Sequence, residues 1–160
     1  MAVDYFLKID GAPGESQDAK HKDEIELLSW AWGETAASQP GGGAGAGAGK
    51  VQLQDFHFTS LISRASPKLM EACAFGKHFK DALLTARRAG GGKGEFLTFK
   101  FSDVRITSYQ TGGSEDDTVP VDSAALGFSQ IHVEYRVMKP DGTLGSPVTF
   151  GWDVKQNKKV

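Results

Sequence analysis

Most features that would mark this chain as an enzyme, a disulfide scaffold or a membrane protein are missing. It has one cysteine, Cys73. A lone thiol forms no intramolecular disulfide, so folding in a reducing compartment is expected. No apolar run approaches the roughly 20 residues of a spanning helix. The opening MAVDYFLKID lacks a basic n-region and carries Asp4 inside its only apolar stretch. It does not read as a Sec-type signal peptide, so any export is expected to use a route that reads no N-terminal signal. Charge of one sign is also lacking: 18 basic residues stand against 20 acidic ones, a net charge of −2. Nothing in that balance calls for nucleic acid or for an anionic membrane as partner.

Catalytic and ligand motifs are absent too. The Gly-rich stretch ending in Gly49-Lys50 suggests a P-loop, but position 44 is Ala and position 51 is Val. The hydroxyl that would hold magnesium is missing. Gly43-x-Gly45-x-x-Ala48 matches a dinucleotide fingerprint only through its Gly/Ala alternation, and no βαβ unit surrounds it. His21, His57, His78 and His132 form no HExxH motif and no i, i+4 pair. They read as surface or hydrogen-bonded histidines. Cys73 lies within an apolar helical stripe and reads as an inert thiol. There is no Gly-x-Ser-x-Gly. Glu115-Asp116-Asp117 does not fit an EF-hand loop and reads as a solvated turn. No cofactor and no metal site are therefore expected.

What the chain does have is glycine and strand pattern. Its 160 residues suit a single domain, 1–160. A chain of this size buries roughly 68–70% of its unfolded surface. Gly accounts for 20 residues, many of them in two clusters. One cluster, AASQPGGGAGAGAG at 36–49, offers almost no side chains for a core. It belongs to an extended Gly/Ala-rich loop at about 34–50.

Strand patterns fill most of the rest. Val3–Ile9 ends at an Asp10-Gly11 turn, and a polar loop covers 11–23. Glu24–Gly33 reads as a strand with Leu28, Trp30 and Trp32 on one face. Ile25, Leu27, Ser29 and Ala31 share the other. Trp30 and Trp32 read as core residues, which turns Ser29 and Ala31 outward. Val51–Ser60 resumes strand pattern, and its alternation slips between Leu53 and Phe56, as at a bulge. Ser66 as N-cap, Pro67 at N1 and Gly76 as stop predict one helix. Its apolar stripe is Leu69, Met70, Cys73 and Ala74. Phe79–Arg88 is a strand, 89–94 a turn, and 95–101 and 104–111 are strands broken near Ser102-Asp103. Residues 112–122 read as an acidic loop. Ser123–Met138 reads as the longest strand. Lys139-Pro140-Asp141-Gly142 is a turn, and Thr143–Lys155 closes the chain in alternation. Many short strands, regular turns and one helix predict a mainly β, antiparallel barrel or sandwich.

Several stretches, taken in order, resemble the haemolysin-coregulated protein (Hcp) family, the tube proteins of bacterial type VI secretion. They are MAVDYFLKIDGAPGES, Asp18 and His21, EIELLSWAWGE, GGGAGAGAGKV, DFHFTSLISRASPKLMEACAFGKHF and LLTARRAGG. Tyr109 with the Thr111-Gly112-Gly113 turn, Phe128 to Val133, and FGWDVKQN at 150–157 complete the set. The resemblance implies a β-barrel of two sheets with one short helix. It also implies homo-hexameric rings that stack into a hollow tube like that of phage tails. Such a protein is structural and not an enzyme. It is made in the bacterial cytoplasm and released without a signal peptide. Its implied partners are further copies of itself, type VI effectors carried and chaperoned in the lumen, the sheath and the spike. In the family the small position between the two tryptophans looks into the lumen, which here is Ala31, with Ser29 on the same face. The hydroxyl common at that position in the family is absent, so a different effector preference is implied.

The long loop suits that assembly on physical grounds. Neighbouring strands are usually joined by two to five residues, yet Glu34–Gly49 spans 16. Fully extended, it reaches roughly 50 Å. The expected ring-stacking residues are Gln39, Pro40, Gly41, Gly42, Gly43, Gly45, Gly47 and Lys50. Unpaired strand edges supply the expected in-plane contacts. The alternative from another class is a monomeric β-barrel that binds a small molecule among its aromatic residues.

Overall fold

The computed structural model describes residues 2–36, 50–89 and 94–160. In chain order these form β1 (Val3–Ile9), β2 (Ile25–Ala31), β3 (Glu34–Thr35), β4 (Gln52–Leu53), β5 (Phe56–Leu61), α1 (Ala65–Phe75) and β6 (His78–Arg88). Then follow β7 (Glu95–Gly112), β8 (Val121–Gly127), β9 (Gln130–Met138), β10 (Leu144–Asp153) and β11 (Lys158–Lys159). All pairings are antiparallel. Strands β7, β6, β1, β2, β5 and β8 close on themselves through the β7–β8 pairing, giving a six-stranded barrel. Strands β9, β10 and β11 extend the sheet outward from β7, and β3 with β4 forms a separate two-stranded sheet.

The barrel closes around aromatic residues. Phe56, Phe58, Phe101, Leu7, Leu69, Leu84 and Leu126 are fully buried. Phe101 lies 4.9 Å from both Phe56 and Phe128, centroid to centroid. Trp30 packs on Phe56 at 5.8 Å and meets Phe99 at 5.3 Å, and Trp32 meets Phe99 at 5.9 Å. The expected core role of the tryptophan pair is therefore what the packing shows, and the barrel axis is filled.

The faces of β2 differ from the strand reading. The register shifts between Leu27 and Ser29, which pair with Ser60 and Thr59. Leu28 is the extra residue of that bulge and is exposed. Ile25 and Leu27 point inward before the bulge, and Trp30 and Trp32 after it, because one inserted residue switches the face. The expected strand at Val51–Ser60 is two pieces in two sheets, with the slip realised as a break at Gln54-Asp55.

The helix departs from expectation at its start. Arg64, not Ser66, holds the N-cap position, and no side chain caps it. Ser66 lies inside the first turn, buried, where its hydroxyl donates to Asp122 on β8. That buried carboxylate needs a donor, and the tertiary demand overrides the capping preference. The buried stripe is Ala65, Leu69 and Ala72, at i, i+4 and i+7. Met70 is exposed and Cys73 half-buried. Gly76 ends the helix as expected, at φ 68° in the left-handed region.

The longest strand is β7, with 18 residues. The expected break at Ser102-Asp103 is a kink within it, with Asp103 at φ 54°. The expected strand Ser123–Met138 is interrupted at Phe128-Ser129. Both pieces, β8 and β9, lie along β7, on either side of that kink. The half up to Ser102 pairs with β6 and β9, and the half from Arg105 onward pairs with β8, so one long ribbon joins the barrel to the outer sheet. Asp122 belongs to β8 and is buried, not part of the acidic loop. The expected 89–94 turn lies mostly outside the described residues.

Candidate assembly face

Strands β2, β5, β8 and the second half of β7 make one continuous four-stranded face. Two rows of paired residues cross it. Ala31 pairs with His57, His57 with Ala125, and Ala125 with Ser108. Ser29 pairs with Thr59, Thr59 with Ser123, and Ser123 with Gln110. Their neighbours in sequence, Trp30, Phe56, Phe58 and Ala124, turn into the core. The period-two rule then sends these rows outward, except that Ala125 is buried. Ser29, Ala31, His57, Ser108, Gln110 and Ser123 are exposed. The face is small and polar, and Ser29 Oγ lies 2.6 Å from Thr59 Oγ1. Ser29 and Ala31 thus sit together, where the sequence put them. His57, Thr59, Ser123, Ser108 and Gln110 were not singled out, because their membership depends on strand register.

Among the described residues, part of each margin of this face lacks a neighbouring strand. β2 pairs with β1 only at Phe6–Glu26 and Leu7–Ile25. Beyond the bulge, Ser29–Ala31 have β5 on one side and, among the described residues, no strand on the other. On the opposite margin, β6 follows β7 only as far as Arg105, which pairs with His78. From Ile106 to Gly112, β7 has β8 on one side and no described strand on the other. Such margins commonly present unpaired N–H and C=O groups; α1 also packs against β7.

The Gly/Ala-rich loop joins β2 to β5, which are hydrogen-bonded neighbours. Its two ends zip together as β3–β4, with Glu34 opposite Leu53 and Thr35 opposite Gln52. Lys50 is exposed beside this stem. Gln39, Pro40, Gly41, Gly42, Gly43, Gly45 and Gly47 lie outside the described residues.

Three polar clusters brace the frame. Arg87 on β6 bridges Asp18 at 2.7 Å and Asp4 at 3.2 Å. Its guanidinium also lies 4.9 Å from the Phe6 ring centroid. The hydrogen bond from Arg87 holds the Asp18 carboxyl well below its ordinary value, and Asp18 holds the guanidinium above its own. His21 stacks on Phe6 at 4.3 Å, with Nδ1 3.0 Å from Glu24 and Nε2 2.7 Å from Glu95. The 11–23 loop is thereby pinned to β1, β6 and β7. At the β7 kink, Asp103 accepts from Ser129 Oγ at 2.6 Å and lies 2.7 Å from His78 Nδ1. Ser129 first, and His78 next, hold that carboxyl well below its ordinary value. Between α1 and β8, burial pushes the Tyr109 phenol up, and the nearby Asp122 carboxylate adds to the effect.

These clusters are structural in form. Asp103 stands between Ser129 and His78, so no histidine is placed to activate the serine. Among the described residues, no group of three His, Cys, Asp or Glu side chains is placed to hold a metal ion. No described helix is long and apolar enough to cross a membrane.

Comparison with known proteins agrees with the fold. The family described as type VI secretion system effector, Hcp, matches residues 6–135. Protein hcp1 of Pseudomonas aeruginosa is 43% identical over 159 residues, 98% of each chain. The crystal structure of Hcp1 from Salmonella typhimurium aligns over 100% of both chains, with a TM-score of 0.85 and 40% identity. A further structure, described as a type six secretion system protein, aligns over 99% of this chain and 100% of its own. Its TM-score is 0.92 at 31% identity.

Proposed function

Because this chain belongs to the Hcp family of type VI secretion proteins, we propose that it is the subunit of a secreted inner tube. It assembles as hexameric rings that stack, and it carries effectors in the lumen. The observation that carries the proposal is the four-stranded face with two unpaired margins. Joining the β2 margin of one copy to the β7 margin of the next satisfies both. Four is an even number, so strand direction keeps alternating and the new seam is antiparallel like every other pairing. The contact is heterologous, and a rotation that closes makes a ring. Its small polar face, with Ser29, Ala31 and His57, then lines the bore.

Effectors are the cargo of this reading, and Ala31 and Ser29 are their contacts. Sheath and spike are the outer and terminal partners. Copies are made in the cytoplasm and leave through the type VI machine. The stem and loop at 34–50 supply the axial contact. The small-molecule alternative needs space on the barrel axis, which Phe56, Phe101 and Phe128 occupy. The test is the mass and shape of the purified protein. Six-fold rings support the proposal, and a monomer at high concentration overturns it.

A further inference from the structure

We propose that His57 is the specificity-determining residue of the small polar face, and that it takes carboxylates of an acidic protein surface in a proton-dependent way. This rests on the tube reading, in which that face lines the bore, and it names the chemistry the bore recognises. His57 is exposed near the start of β5. Its row partners are Ala31 on β2 and Ala125 on β8. Side chains paired in this way stand about 5 Å apart at Cβ, and both of these end at a methyl group. The imidazole therefore rises above its row with no long side chain on either flank. Ala31 contributes by leaving that space open.

The polar groups around it are already engaged with one another. Ser29 Oγ lies 2.6 Å from Thr59 Oγ1 in the next row. On the other side, Asp55 accepts from Thr107 Oγ1 at 2.7 Å. His21 is held by Glu24 and Glu95, and His78 by Asp103. Among the described residues, no side chain bonds His57 in that way. His132 is not held by a carboxylate either, but it pairs with Lys100 and Gly151 on the outer sheet and belongs to a different face.

The two rows carry no fixed charge. Beyond them, at the stem end, Asp55 and Glu34 stand against Arg105 and Lys50, two charges of each sign. β8 supplies only Asp122, which is buried and accepts from Ser66. β2 supplies Glu26, on the far side of the bulge. The charge of the face is therefore set by whether His57 holds a proton. Histidine is the side chain whose charge changes between about pH 5 and 8. As imidazolium it donates charge-assisted hydrogen bonds, which suit a carboxylate; as neutral imidazole it leaves the face uncharged. Acid thus tightens the grip on acidic cargo and alkali loosens it. A ring presents one such group from every copy, so a modest gain at each is multiplied.

The test is fluorescence anisotropy of a labelled oligoglutamate peptide with the purified protein at about pH 6 and pH 8. Light scattering on the same samples reports assembly. The expected result is binding at least about tenfold tighter at the lower pH, the scale of one hydrogen bond to a charged group, in the wild type and in His132→Asn. His57→Asn rings are expected to lose that pH dependence. An uncharged Gly/Ser peptide of the same length is expected to bind at neither pH. His57→Asn rings that keep the tenfold change overturn the assignment. So do wild-type rings that bind the acidic peptide equally at both pH values, fail to bind it, or bind the uncharged peptide as tightly. A wild-type sample that scatters as a monomer overturns the tube reading itself. Should His57→Asn assemble poorly, His57→Gln is read in the same way.

Discussion

Ser129 donates a 2.6 Å hydrogen bond to Asp103 at the point where β7 exchanges β9 for β8 as its neighbour. The two residues tie the β7 kink to the gap between β8 and β9. One ribbon can therefore join the barrel to the outer sheet without fraying at the turn. His78, at 2.7 Å, and Lys155, at 3.4 Å, add to the same carboxylate.

The sign of the acid dependence follows from that cluster. The Asp103 carboxyl titrates below its ordinary value of 3.8 in the folded state. Its contribution is then fully present above that ordinary value and is lost as the pH falls through the lower folded one. Asp18, lowered by Arg87, acts in the same direction. Urea midpoints are expected to fall below about pH 4, with a shallower fall in Asp103→Asn. Equal slopes in both proteins would contradict the assignment.

Arg87 is the brace with most to lose. It is buried, bonds two carboxylates and covers Phe6. Arg87→Met removes the pairing and leaves Asp18 and Asp4 without their cation. Because both carboxylates keep some solvent access, the expected loss is about 2 kcal/mol. Chemical denaturation measures it, and a loss under about 0.5 kcal/mol, the level of an ordinary surface change, would contradict the bracing role.

Much of the fold was legible because it is local. Alternation located Val3–Ile9 to the residue, and Pro140 with Gly142 marked the turn before β10, where Gly142 takes φ 87°. The rest depends on partners far along the chain. Leu28 is extra only in relation to Ser60 and Thr59 on β5. Ser66 left its capping role for Asp122, 56 residues away. The site divides in the same way. Ser29 and Ala31 were legible from their phase against the tryptophans, but His57 and Ser123 join them only through register.

Ala31→Gln puts a long polar side chain on the outward face, away from Trp30 and Trp32. Rings are expected to form at wild-type yield, while effector retention in pull-downs changes by several-fold. Unchanged retention of every cargo would contradict a lumen position.

Deleting Gly41–Gly49 shortens the loop and keeps the β3–β4 stem. Rings are expected to persist while stacking and secretion weaken. Loss of the folded subunit, seen by circular dichroism, would instead make the segment part of the core.

The central claim is ring formation through the β2 and β7 margins, and the most direct measurement is light scattering on the purified chain, followed by negative-stain imaging. A mass near six times the 17.1 kDa chain, with six-fold rings in projection, is the predicted result. A single species at 17.1 kDa, unchanged at high concentration, would contradict it.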